Sequence, residues 1–148
     1  MALELTERDL ADVEFCVGTN LRMVTRVVTQ FFDEALRGTG LRVSQLPILA
    51  ALAQVEQIGL TTLADQLLLD YTTLVRNLKP LERDGLVKTS RGEDRRRRMI
   101  ELTPAGEEKL NEAYPLWQEA QSTILVRFGR GRWRMFLRKL DEIAEIVE

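Results

Sequence analysis

The sequence predicts a mainly α-helical chain with one small β-hairpin, a compact middle being flanked by long helices at both ends. Three observations carry this. Apolar residues recur by threes and fours over most of the 148 residues, the spacing of one helix face. A period-two pattern appears only on either side of a charged tip, between Leu86 and Leu102. Capping residues, prolines and glycines fall at the breaks between the periodic segments. With 45% apolar and 30% charged residues, the chain suits one domain with a hydrophobic core.

The first helix is expected from Thr6 to about Leu36. Thr6 and Asp9 have the spacing of a capping box. Val13, Val17, Leu21, Val24, Val28, Phe31 and Ala35 form one stripe, flanked by Cys16, Met23 and Val27, and Phe15 projects from another side. Such a helix is apolar over too much of its girth to pack on one side only, so burial against a second subunit is expected. Gly38-Thr39-Gly40 ends it.

Three shorter helices follow. Ser44 is expected to cap one through about Ala53, with Leu46, Ile48, Leu49 and Leu52 inward. Thr61 or Thr62 should cap a second through Leu68, with Leu63, Leu67 and Leu68 facing in. The third begins after Asp70 and runs to about Asp84, where Gly85 stops it. The tight turn Leu69-Asp70-Tyr71 between the last two is helix-turn-helix spacing.

Leu86, Val87 and Thr89, then Met99, Ile100 and Leu102, read as two strands around an arginine-rich tip, the wing of a winged helix. Thr103-Pro104 opens another helix, with threonine as cap and proline at a position whose missing N–H costs nothing. It should reach Phe128, with Pro115 kinking or interrupting it. Gly129 and Gly131 separate a last helix, about Trp133 to Val147, with Phe136, Leu137, Leu140, Ile143 and Val147 on one face.

Composition removes most catalytic chemistry. Histidine is absent, which excludes a Ser-His-Asp triad, a Cys-His pair and histidine-ligated metals. One cysteine permits neither an internal disulfide nor a cysteine-built zinc site. No glycine-rich phosphate loop appears. The reading is therefore no catalytic residue, no metal and no cofactor. No apolar run reaches the roughly 18 residues of a membrane span, and the start lacks a signal peptide's pattern, so a cytoplasmic protein without membrane contact is expected.

Net charge is −2, yet Arg91 to Arg98 holds five arginines against Glu93 and Asp94. One concentrated basic loop on a nearly neutral chain suits local phosphate binding. On a helical wheel of Asp70 to Asp84, Leu74, Leu78 and Leu81 face the core. Thr72, Thr73, Arg76, Lys79 and Arg83 fall opposite. A helix entering the major groove needs such a face: Arg76 could grip a guanine bidentately, and Thr72 and Thr73 could meet a thymine methyl or a phosphate. Pro80 should bend this helix from its outer face without breaking it. Arg91, Arg95, Arg96, Arg97 and Arg98, with Asp94, form the tip, and guanidinium groups suit phosphates and narrow minor grooves.

The stretch LVRNLKPLERDGLVKTSRGEDRRRRMIELTPAGEEKL, from Leu74 to Leu110, resembles the MarR family of bacterial regulators. The matching pieces are LERDGLV, the wing signature Asp94-x-Arg96, Ile100-x-Leu102-Thr103 and Gly106. The resemblance is specific in the wing and vague in the end helices. It implies a single domain over residues 1–148, with a winged helix-turn-helix at about 41–103 and dimerisation helices at about 6–36 and 104–147. It also implies a homodimer on a palindromic double-stranded DNA operator, commonly a repressor, released by a small-molecule ligand or an oxidant. The arginine matching Arg96 would enter the minor groove, held in part by Asp94.

Two kinds of sensor are compatible with the sequence. Cys16 occupies a place similar to the reactive cysteine of some MarR-like peroxide sensors, while also suiting a core or interface thiol. Phe31, Phe32, Tyr71, Tyr114, Trp117 and Met23 could line a ligand cavity or simply fill the core, so the effector is unknown. Two other functions compete with this one. A winged-helix module for protein partners would need an apolar or acidic outer face on Asp70 to Asp84. A thiol peroxidase using Cys16 would need a resolving thiol, and the chain has none.

Overall fold

The computed structural model describes residues 4–94 and 96–147. Helix α1 (Glu7–Asp12) is held by the expected capping box, with Asp9 N–H on Thr6 Oγ1 and Thr6 N–H on the Asp9 carboxylate. The expected continuous first helix is broken. A 3₁₀ turn (Val13–Phe15) leads to Cys16, whose extended ψ of 118° ends one helix and begins α2 (Val17–Leu36). Asn20 bridges the break, its amide donating to the carbonyls of Glu14 at 2.7 Å and Cys16 at 3.0 Å. Apolar periodicity runs straight through this point, so the pattern alone carries no sign of the interruption.

Helix α3 (Leu46–Leu52) begins later than expected, with Pro47 in its first turn and no side-chain cap. Ser44 bonds to Asn77 instead. The two-residue strand β1 (Ile58–Gly59) precedes α4 (Leu60–Gln66), which starts at Gly59 without a threonine cap. Leu68 is corrected from core to surface: its φ is +52° and it is 94% exposed. That left-handed residue closes α4, with Leu69 N–H reaching the Ala64 carbonyl at 2.9 Å.

Helix α5 (Tyr71–Arg83) is capped by Asp70 and passes unbroken through Pro80. Pro80 is half-buried beside Leu41 and Gln45 rather than on the outer face. Gly85, at φ +72°, turns the chain into β2 (Val87–Arg91). β2 pairs antiparallel with β3 (Arg98–Leu102) in the register Val87↔Leu102 to Arg91↔Arg98. β1 adds to the other side of β3, giving the order β1-β3-β2. At two residues, β1 is too short to show the alternation that marks a strand in sequence.

Helix α6 (Pro104–Phe128) is capped by Thr103 and runs unbroken through Pro115, and α7 (Arg130–Val147) starts three residues earlier than expected. The core is one cluster drawn from the end of α2, from α3, α4 and α5, from the sheet and from α6. Ile48, Leu49, Leu52, Leu63, Leu74, Leu81 and Ile100 are almost wholly buried in it, and Ala113 of α6 closes one side. Burial of a single leucine here is worth about 2–5 kcal/mol against alanine. Among the described residues, no helix is long and apolar enough to cross a membrane.

Candidate nucleic-acid interface

Asp70 positions the first turn of α5. Its Oδ1 accepts from Thr73 N–H at 2.8 Å and its Oδ2 from the Thr73 hydroxyl at 2.5 Å. These bonds, with the Thr73 hydroxyl first, hold the Asp70 carboxyl below its ordinary value. Leu74, Leu78 and Leu81 then fall inward, as the wheel requires.

The opposite face is polar and cationic. Thr72, Arg76 and Lys79 are exposed and line one shallow concavity with Tyr71 and Val75. Arg83 is exposed too, but its guanidinium pairs with neighbouring Asp84 at 3.0 Å. Thr73 stands apart from Thr72: half-buried, its hydroxyl proton goes to Asp70. Tyr71 and Val75 add apolar surface to this concavity, and among the described residues no acidic one lines it.

The wing continues from this helix. Gly92 N–H donates to the Arg97 carbonyl and Arg97 N–H to the Asp94 carbonyl, both at 2.8 Å, closing the tip. Asp94 Oδ1 accepts from the backbone N–H of Arg96 at 3.1 Å, so this contact shapes the turn through the backbone. Arg91, Asp94, Arg96, Arg97 and Arg98 are exposed. Arg95 lies outside the described residues. Arg91 and Arg98 stand directly opposite in the ladder, where like charges repel unless an anion comes between them. Thr89 and Ser90 complete an open groove with these two arginines; Thr89 was expected only as a strand residue, and Ser90 was not named. Their signal was two hydroxyls on the strand leading into the tip.

Cys16 lies far along the chain from this surface and is exposed. The Thr19 side chain first, then the backbone N–H groups of Thr19 and Gly18 and the charge of Arg22, hold its thiol below the ordinary value. The aromatic residues form separate contacts. Phe31 meets Phe32 edge-on at 5.7 Å, Tyr114 tilts against Trp117 at 5.7 Å, and Tyr71 belongs to the α5 concavity. Met23 is exposed on α2.

Residues 41–106 match a model of the winged helix DNA-binding domain. A HTH-type transcriptional regulator of Bacillus subtilis (strain 168), YwoH, is 30% identical over 103 residues, covering 70% of this chain and 75% of that protein. MosR, a transcriptional regulator of M. tuberculosis solved in complex with DNA, is 34% identical with a TM-score of 0.79. That match covers 90% of this chain and 98% of MosR. A cysteine-to-serine mutant of MarR from E. coli, solved with operator DNA, is 19% identical and shares the fold, with a TM-score of 0.76 over 86% of this chain and 92% of its own. The chain belongs to the MarR family. As a MarR-family protein it is a transcriptional regulator with a winged-helix DNA-binding domain, and its relatives and fold are those of regulators, not enzymes. The winged-helix match spans α3 to the first turn of α6, and so includes α5 and the whole wing.

Proposed function

We propose that this protein is a cytoplasmic repressor that binds a palindromic operator as a homodimer. The observation that carries the reading is the outer face of α5, where Thr72, Arg76 and Lys79 are exposed together, with the cationic wing following directly. In this reading α5 enters the major groove, Arg76 and Thr72 reach base edges, and Lys79 meets phosphate. Thr73 presents what its cap leaves free. Arg91 and Arg95 to Arg98 supply minor-groove and phosphate contacts, and Asp94 shapes the turn that presents them.

The domain plan is one unit over residues 1–148, with about 41–103 on DNA and about 6–36 and 104–147 joining two copies. Supporting this, α2 leaves Val17, Leu21, Val24 and Val28 exposed, and α7 leaves Phe136 and Leu137 exposed. A patch of this kind on a regulator calls for a partner. Two copies would set their α5 helices about one DNA turn apart, roughly 34 Å.

Release follows either from an unidentified small molecule or from oxidation of Cys16. In the second route the Cys16 thiolate attacks one oxygen of hydrogen peroxide, an S–O bond forms as the O–O bond breaks, hydroxide leaves and takes a proton from solvent to become water, and Cys16 remains as the sulfenic acid. The test is selection of duplexes from a random pool by the intact protein, followed by anisotropy titration with and without peroxide. Convergence on an inverted repeat, with two protomers per duplex, supports the reading. Failure to converge, or one protomer per duplex, overturns it. Peroxide-insensitive binding assigns release to a ligand.

A further inference from the structure

Hydrophobic burial holds α5 in place but does not fix its roll about its own axis, because apolar contact has no direction. Leu74, Leu78 and Leu81 would tolerate a few degrees of rotation. A base-reading side chain would not, since bidentate hydrogen bonds require alignment. Something directional must set the helix.

Asn77 is placed to do so. It is half-buried on α5, one residue after Arg76, and consecutive helical residues stand about 100° apart. Its Oδ1 accepts from the Ser44 hydroxyl at 2.8 Å. Its backbone carbonyl accepts from Gln45 Nε2 at 3.4 Å, and its own Nδ2 returns to the Thr73 carbonyl at 3.0 Å. Gln45 is buried, and its Oε1 is held by Arg42 N–H at 2.9 Å. The same corner is tied to α2, where Asp33 Oδ1 accepts from Val43 N–H at 2.7 Å and Oδ2 faces Arg42 Nη1 at 3.4 Å. At the far end of α5, Glu82 meets the Thr89 hydroxyl of β2. Among the described residues, Ser44 and Gln45 provide the side-chain hydrogen bonds that join α5 to the segment before α3.

We infer that Asn77, anchored by Ser44, is a positioning residue that sets the roll of α5 and so aims Arg76 at its base. This rests on the DNA-reading role proposed for α5. Asn77 acts through Arg76 and touches no base itself. The chain Asp33–Val43–Ser44/Gln45–Asn77–Thr73–Asp70 thereby links the end of α2 to the first turn of the reading helix.

The experiment compares anisotropy titrations of the full chain on a duplex selected by the wild-type protein and on its scrambled counterpart. Ser44→Ala should lower discrimination between the two by roughly 3- to 10-fold, the span set by one directional hydrogen bond. The Ser44 change leaves α5 untouched, so it remains informative even where Asn77→Ala fails to fold. Ser44→Thr, which keeps the hydroxyl, should restore discrimination. Asn77→Ala should match the Ser44→Ala, Asn77→Ala double variant, and in an Arg76→Ala background neither should lower discrimination further. Salt slopes should stay at the wild-type value, because no phosphate contact is lost. Equal loss on both duplexes, additive effects, failure of Ser44→Thr to restore, or a full effect in the Arg76→Ala background would overturn the assignment. If the wild-type protein itself selects no duplex, the DNA-reading role of α5 falls; if it selects one and Ser44→Ala discriminates normally, the positioning role alone falls.

Discussion

The Thr103 hydroxyl donates to the carbonyl of Gly85 at 2.6 Å, joining the turn that ends α5 to the residue that starts α6. The same oxygen accepts from Gly106 N–H at 3.0 Å, and Thr103 N–H reaches the Leu86 carbonyl at 3.1 Å. One threonine thus caps α6 and closes the two ends of the wing hairpin onto each other.

This closure leaves no room at Gly106. A Cβ there would sit 2.0 Å from the Leu86 carbonyl oxygen and 2.6 Å from Leu102 Cδ1, and the first of these is backbone that cannot swing aside. Gly106→Ala should destabilise the fold by about 3 kcal/mol, read as a lower urea midpoint. An unchanged midpoint would mean that α6 and the Leu86 backbone separate more easily than their packing suggests.

Thr103→Ala removes the cap and the link to Gly85 while leaving no clash. A loss of about 1–2 kcal/mol is expected, smaller than that of Gly106→Ala. The order of the two midpoints checks it.

Arg96→Ala should weaken binding to selected and scrambled duplexes alike and reduce the salt slope by about 1, the signature of one lost phosphate contact. Parallel log-log plots for variant and parent would show that Arg96 meets no phosphate.

Arg76→Ala should act differently, relaxing preference at particular base pairs by about 1–3 kcal/mol while leaving binding to scrambled DNA nearly intact. Titration against single-base-pair variants of the selected duplex measures this. Uniform weakening would make Arg76 a phosphate contact instead.

The Asp70 carboxyl titrates lower in the folded protein than in the unfolded chain, chiefly because of the Thr73 hydroxyl and then the Thr73 N–H. Its stabilising contribution is therefore complete above the unfolded value, about 3.9, and fades as pH falls through the lower folded value. Hydrogen-exchange protection of the Thr73 and Leu74 amides should fall below about pH 4 in the wild type. In Asp70→Asn, which caps without titrating, that acid-induced loss should be absent.

Helix α5 was legible in the sequence because each of its determinants is local. Asp70 caps the three residues that follow it, Gly85 provides a left-handed turn, and the leucines keep one face. The hairpin was legible for the same reason. Leu68 was not: a leucine after a helical run counts as one more core residue, and only the turn into α5 forces it to φ +52° and into solvent. The break at Cys16 was hidden because apolar spacing continues across it. β1 was hidden because pairing with β3, not its own two residues, makes it a strand.

The sequence by itself determined the order of helices and hairpin, the cationic face of α5 and the arginine tip, since periodicity, capping and charge act over a few neighbouring residues. Tertiary structure alone decided that Ser44 serves Asn77, 33 residues away, rather than capping its own helix. It likewise decided that Gly106 must accept the Leu86 carbonyl, and that Pro80 turns toward Leu41. Such contacts depend on where distant segments come to rest, and a hydroxyl or a missing Cβ carries no mark of the partner it will meet.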